Sequence, residues 1–188
     1  MSYFHNFISE SDVDNASKLL KLSEVKAGLR CFSSNNKSNI FLSHKHNEAK
    51  LVRNISLILE SLDSKVYVDW KDRSLPTQTT DETAKILKEK IKSLDKFIFL
   101  ASNSAINSKW CNWEIGFADA NKYEVDKIVI FPVKNKDNWN GSEYLSLYPH
   151  IEFQTSSSYE CFGNPRFGTY WVKYPNGNKI SLKEWLEK

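Results

Sequence analysis

The sequence predicts an α/β protein with a flavodoxin-like fold: an open, five-stranded parallel sheet with helices on both faces. Three observations predict it. Short, almost wholly apolar runs recur at residues 39–44, 65–69, 96–102 and 126–133. Segments with apolar residues at helical spacing separate them. The pattern changes in the C-terminal tail, where alternating runs flank Asn176-Gly177. Strands buried on both faces read as continuous apolar runs, and strands that alternate with helices form a parallel sheet through right-handed crossovers.

Residues 1–30 read as helical, with Ser11-Asp12 as a cap and a run through Leu19, Leu20 and Leu22 toward Leu29. Residues 33–38 are a polar linker. The first strand, 39–44, is followed by a helix over 47–62 with apolar residues at 51, 52, 55, 58, 59 and 62. The second strand, 65–69, leads into a polar loop over 70–79 that holds Pro76. Thr79 or Thr80 caps a helix over 80–93, with Glu82 in its first turn. The third strand, 96–102, precedes a Trp-rich helix over 107–121. The fourth strand is 126–133 and a short fifth is 151–153. Asn176-Gly177 marks a hairpin within 169–182, and a short helix over 183–187 ends the chain. The chain divides into an N-terminal extension (1–38), a main domain (39–153), and a hairpin and helix packed on it (154–188).

Composition excludes several classes. In 188 residues, 40% hydrophobic and 26% charged, the net charge is +3. The lysines are dispersed among acids, so no nucleic-acid partner is expected. No apolar stretch approaches the roughly 20 residues that span a bilayer, and no signal peptide opens the chain. Cys31, Cys111 and Cys161 show no CxxC spacing, which argues against a disulfide framework or a zinc site and for a reducing, cytoplasmic setting. No metal is expected. His44-Lys45-His46 lacks a third ligand, and Cys111 reads as packed and inert. Glycine-rich phosphate loops and a GxSxG nucleophile turn are missing from the sequence.

A strand order of 2-1-3-4-5 would open a crevice at the carboxyl ends of strands one and three, where ligands bind in such sheets. Phe41, Ser43 and His44 then end strand one. Ser102-Asn103-Ser104 follows strand three, and Asp69, Trp70 and Arg73 follow strand two. Trp110 and Glu114 sit four apart, on one face of the Trp-rich helix. An aromatic plane beside a lone carboxylate can hold a flat cationic ring and face the sugar attached to it. Trp113, with Phe117 and Ala120, is the expected core stripe, and Trp110 is expected at the site. The bland readings are core for Phe41, an exposed histidine for His44, and turn or cap residues for Ser43 and Asp69.

These segments resemble a bacterial TIR (Toll/interleukin-1 receptor) domain over about residues 39–153. The carriers are Asn39-Ile-Phe-Leu-Ser-His44, Lys65-Val-Tyr-Val-Asp-Trp70 with the Pro76 loop, and Ser108-Lys-Trp-Cys-Asn-Trp-Glu114. The last looks like the WxxxE helix of NAD-cleaving members. The resemblance implies cleavage of the nicotinamide–ribose bond of NAD+, with NAD+ as substrate and no further cofactor. Glu114 would be catalytic. Phe41, Ser43, His44, Asp69, Trp70, Arg73 and Trp110 would bind substrate. It also implies a homo-oligomer formed through TIR–TIR contacts of the BB loop (69–79). The product would be a cyclic ADP-ribose-type signal acting on a separate effector, as for stand-alone TIR components of Thoeris anti-phage systems. Two other classes remain open: a non-catalytic interaction module and a nucleotide-binding sensor.

Overall fold

The computed structural model describes residues 8–27, 38–76, 78–134, 141–154 and 169–188. Most of the expected linker, Cys31 and Cys161 lie outside these residues. The sheet strands are β1 (Ile8–Ser9), β2 (Ser38–Ser43), β3 (Ser64–Tyr67), β4 (Lys96–Ala101), β5 (Ile128–Lys134), β6 (His150–Gln154), β7 (Thr169–Lys173) and β8 (Lys179–Ser181). The helices are α1 (Glu10–Ala27), α2 (Ala49–Glu60), α3 (Asp81–Ser93), α4 (Asn103–Ile106), α5 (Lys109–Lys122) and α6 (Leu182–Glu187).

The strand order is β3-β2-β4-β5-β6-β7-β8, with β2 to β6 parallel. This is the expected 2-1-3-4-5 sheet. The sheet is larger than five strands for two reasons. The hairpin β7–β8 adds antiparallel to β6, and β1 pairs with β5 through Ile8 and Val133. Gly177, at φ 90°, makes the hairpin turn, a conformation that side chains with a Cβ rarely adopt. The hairpin covers an edge of β6 that would otherwise present unpaired backbone groups.

Strand alternation divides the core in two. Ile40, Leu42, Ile98, Leu100, Val129 and Phe131 pack on one face, under α2. Leu51, Val52, Ile55, Ile58 and Leu59 form the apolar stripe of α2, as their spacing predicts. Val13 of α1 and Leu182, Trp185 and Leu186 of α6 join this layer. Phe41, Phe97, Phe99, Ile128 and Ile130 point the other way, toward α3 and α5. Ser43 has the parity of Phe41 and therefore faces α5.

One helix differs from expectation. The Trp-rich helix starts at Lys109, where the Ser108 side chain accepts from Cys111 N, and a short separate helix, α4, precedes it. The core stripe of α5 is Cys111, Glu114, Ile115, Ala118 and Lys122. Trp113 and Phe117 are only half-buried and Ala120 is exposed, which corrects the expected stripe. The two rings stack along the flank of α5, with the Lys88 ammonium 5.6 Å from each ring centroid. Thr80 caps α3 as expected, reciprocally with Thr83.

The hairpin is tied to the sheet by a buried charge. Glu152 of β6 is fully buried; Lys179 Nζ lies 2.5 Å from one of its oxygens and Lys173 Nζ 3.1 Å from the other. Burial alone would raise its pKa, but the two lysines outweigh burial and hold it at about 2, well below the usual glutamate value of 4.5. A depressed carboxyl pKa gives stability that is present above about 4.5 and is lost as pH falls toward 2. Glu152→Gln is therefore expected to cost about 2–3 kcal/mol near neutrality, or roughly 5–10 °C in Tm. Thermal melts across pH should show the gap to wild type closing in acid.

Candidate active site

The carboxyl end of β2, the loop after β3 and the start of α5 surround a cavity of ≈ 410 Å³. This is within the range of small-molecule sites. His44, Lys45 and His46 supply one wall, and Asp69, Trp70, Asp72, Leu75 and Pro76 a second. Trp110 and Cys111 close it from α5, and Thr83 and Leu87 from α3. The loop over 69–76 is pinned by Asp72. That carboxylate accepts from Tyr67 Oη at 2.8 Å and Ser74 Oγ at 2.6 Å, and stands 3.5 Å from Lys90 Nζ.

Glu114 holds a helix position that the fold reserves for apolar side chains. It is 3% exposed and does not itself line the cavity, whereas Trp110 and Cys111, on its own helix, do. Ser43 Oγ donates to Glu114 Oε2 at 2.5 Å. Burial pushes the Glu114 carboxyl up to about 8. The Ser43 bond pulls it back, the Asp69 charge adds to the rise, and His46 and a hydrogen bond from Trp110 oppose it. At neutral pH this carboxyl is largely protonated in the free protein, and a nearby cation would ionise it.

Beside it, one carboxylate serves two histidines. Asp69 Oδ1 accepts from Trp70 N at 2.7 Å and lies 3.3 Å from His44 Nε2, while Oδ2 lies 3.0 Å from His46 Nε2. Burial alone would raise the Asp69 pKa, but the two imidazoles hold it well below the usual carboxylate range. The same contact raises His46. His44 is locked: its Nδ1 meets Leu42 O at 2.8 Å, and its ring stands edge-on to Trp70 at 4.5 Å.

Of the residues singled out from the sequence, His44, Asp69, Trp70 and Trp110 come together in the cavity wall, with Ser43 and Glu114 immediately behind. His44 is buried rather than the exposed histidine of its bland reading, because its ring bridges Leu42 and Asp69. Ser43 binds Glu114 across 71 residues of sequence rather than capping a turn. Phe41 does not reach the cavity: it is buried in the core, stacked on Phe97 and tilted against Tyr67. Arg73 is exposed and outside the cavity wall. Ser102 is also absent from the wall; it caps α4 and donates to Glu48 at 2.8 Å.

Sequence reasoning missed His46 and Glu48. His46 was visible only as half of a failed metal motif. Among the described residues no group of three or more His, Cys, Asp and Glu could hold a metal ion. Likewise no helix among them is long and apolar enough to cross a membrane.

A carboxyl pKa raised on folding subtracts stability as pH rises from the usual glutamate value of 4.5 toward about 8. Glu114→Gln removes that cost and keeps an acceptor for Ser43. Its Tm is expected to match wild type near pH 5 and to exceed it by several degrees at pH 8. Calorimetry at the two pH values checks this.

The TIR domain family model matches residues 40–163. The "Probable 3' cyclic ADP-D-ribose synthase ThsB'" of Bacillus cereus (strain MSX-D12) is 30% identical over 159 residues, covering 84% of this chain and 79% of that protein. The "Putative cyclic ADP-D-ribose synthase TIR2" of Cytobacillus dafuensis is 24% identical over 98 residues, 48% of this chain and 26% of that protein. With the parallel sheet and the helix that carries Trp110 and Glu114, these matches establish that the chain belongs to the TIR domain family.

Proposed function

We propose that the protein cleaves the nicotinamide–ribose bond of NAD+ and closes the ADP-ribosyl part into a cyclic ADP-ribose-type signal of anti-phage defence. The observation that carries this reading is Glu114: a carboxyl buried beside the cavity, bonded to Ser43 and shifted to about 8. A scaffold or a sensor that does not turn over has no use for a core position that disfavours its own charge. The names of the two similar proteins support the same chemistry.

Nicotinamide in NAD+ is a cationic leaving group, so cleavage needs no strong acid. The ribose passes through an oxocarbenium-like state. The arriving cation favours ionised Glu114, and the carboxylate then stabilises the positive charge that develops on the sugar. Trp110 is stacked on Trp113 at 4.9 Å and offers an aromatic face worth roughly 0.5–2 kcal/mol to a cationic ring. Because Glu114 is outside the cavity wall, substrate entry displaces the Trp110 indole. Homo-oligomeric contacts of the 69–79 loop are proposed to hold the open form. The protein is placed in the cytoplasm, where the product reaches its effector by diffusion.

The test is NAD+ turnover at high protein concentration, with products resolved by chromatography and mass spectrometry. Wild type is expected to release nicotinamide and a cyclic product. Glu114→Gln is expected to lose at least about 100-fold in kcat/KM. The kcat/KM of wild type should climb from pH 6 to pH 8, as Glu114 ionises in the free enzyme. Equal turnover by both proteins overturns the role of Glu114. Tight NAD+ binding without turnover favours the sensor, and neither binding nor turnover favours the interaction module.

A further inference from the structure

His46 is set apart from the other groups of the site. Its side chain is 63% exposed and contributes to the cavity wall, while the carboxylate that holds it is 9% exposed. That carboxylate is fixed by its own contacts. Oδ1 of Asp69 is bound by Trp70 N and approached by the buried His44, which leaves Oδ2 for His46 Nε2 at 3.0 Å. When Nε2 donates its proton to Asp69, Nδ1 carries the ring's free lone pair. An imidazole oriented in this way by a buried carboxylate is arranged as a base. Nothing in the cleavage step uses it, because nicotinamide leaves without needing proton transfer.

Resting on the proposed NAD+ cleavage, we infer that His46, positioned by Asp69, takes the proton from the hydroxyl that captures the ribosyl cation. Nicotinamide departs with the electron pair of the C–N bond. The acceptor oxygen donates a lone pair to the ribose anomeric carbon, the C–O bond forms, and the O–H bond breaks. The proton passes to His46 Nδ1 and then to solvent. NAD+ and an O–H acceptor thus yield neutral nicotinamide, an O-linked ADP-ribosyl product and one proton. A ring nitrogen that attacks through its lone pair carries no proton, so a base does nothing for it.

The Asp69 carboxylate, on the loop after β3, favours the protonated form of the imidazole and so raises its basicity; burial and Lys45, its chain neighbour, oppose it, and Glu114 on α5 adds to the Asp69 effect only once it is ionised. The same carboxylate cannot serve His44 in this way, since the His44 ring is buried and both nitrogens already face acceptors.

The experiment compares acceptors that do and do not carry a proton. Wild type, His46→Gln and Asp69→Asn turn over NAD+ with methanol or 3-acetylpyridine added. Methanol must lose a proton to give methyl ADP-ribose; 3-acetylpyridine has none to lose and gives the exchanged dinucleotide. Capture by O–H relative to pyridine is expected to fall by about 100-fold in both variants, the lower end of general-base effects. Added imidazole is expected to restore it in His46→Ala, and this rescue decides the matter should Asp69→Asn fail to fold. A ratio within about twofold of wild type in His46→Gln overturns the role of His46 and leaves Glu114-dependent NAD+ cleavage standing. Absence of nicotinamide release by wild type overturns both.

Discussion

The Ser43–Glu114 hydrogen bond is the constraint on which the site depends. It joins the end of β2 to a core position of α5, two segments 71 residues apart in sequence. It exists because of parity. Phe41 and Ser43 share the face of β2 that meets α5, and the strand turns polar at the residue that reaches Glu114. A carboxyl buried in this way costs stability wherever it is ionised. The surrounding apolar layer of Phe41, Phe97, Phe99, Ile115 and Ala118 supplies the excess that tolerates it.

Much of this was legible from residue patterns, and the reason is burial. Strands covered on both faces need continuous apolar runs, so 39–44, 96–102 and 126–133 announced themselves; their order in the sheet has no local signature and was supposed from the fold class. Asn176-Gly177 announced the hairpin through its backbone requirement, although not its pairing with β6. That pairing is a long-range event without a local signature. Trp110 and Glu114 were legible as a pair at helical spacing. The core stripe of α5 was misjudged because aromatic residues dominate its sequence. Large rings suit a flank where Lys88 covers them, while the tight approach to the sheet goes to Cys111, Ile115 and Ala118.

His46 and Glu48 were illegible for a different reason. Both lie in the single turn of 3-10 helix over His46–Glu48, which has no periodicity to read. Their partners, Asp69 and Ser102, follow other strands. Side chains of this kind are assigned by convergence at the carboxyl edge of the sheet, and only the folded chain brings them together.

The same convergence accounts for how the site is closed in the free chain. Glu114 is shut in by neighbours that make other bonds. Trp110 stacks on Trp113, and His44 leans on Asp69 and Trp70. The loop over 69–76 is held at its start by the buried Asp69 and further on by Asp72, which bonds Tyr67 and Ser74 and faces Lys90. The Ser74 hydrogen bond is exposed and the Lys90 ammonium partly exposed, and such contacts contribute little each, so the stretch after Asp69 is the least costly part of the wall to move. Trp70, at 36% exposure, offers it an apolar handle. The division is therefore physical: β2 and α5 hold the carboxyl in a buried floor, and the stretch of the loop around Asp72 forms the part of the wall with the more exposed tethers.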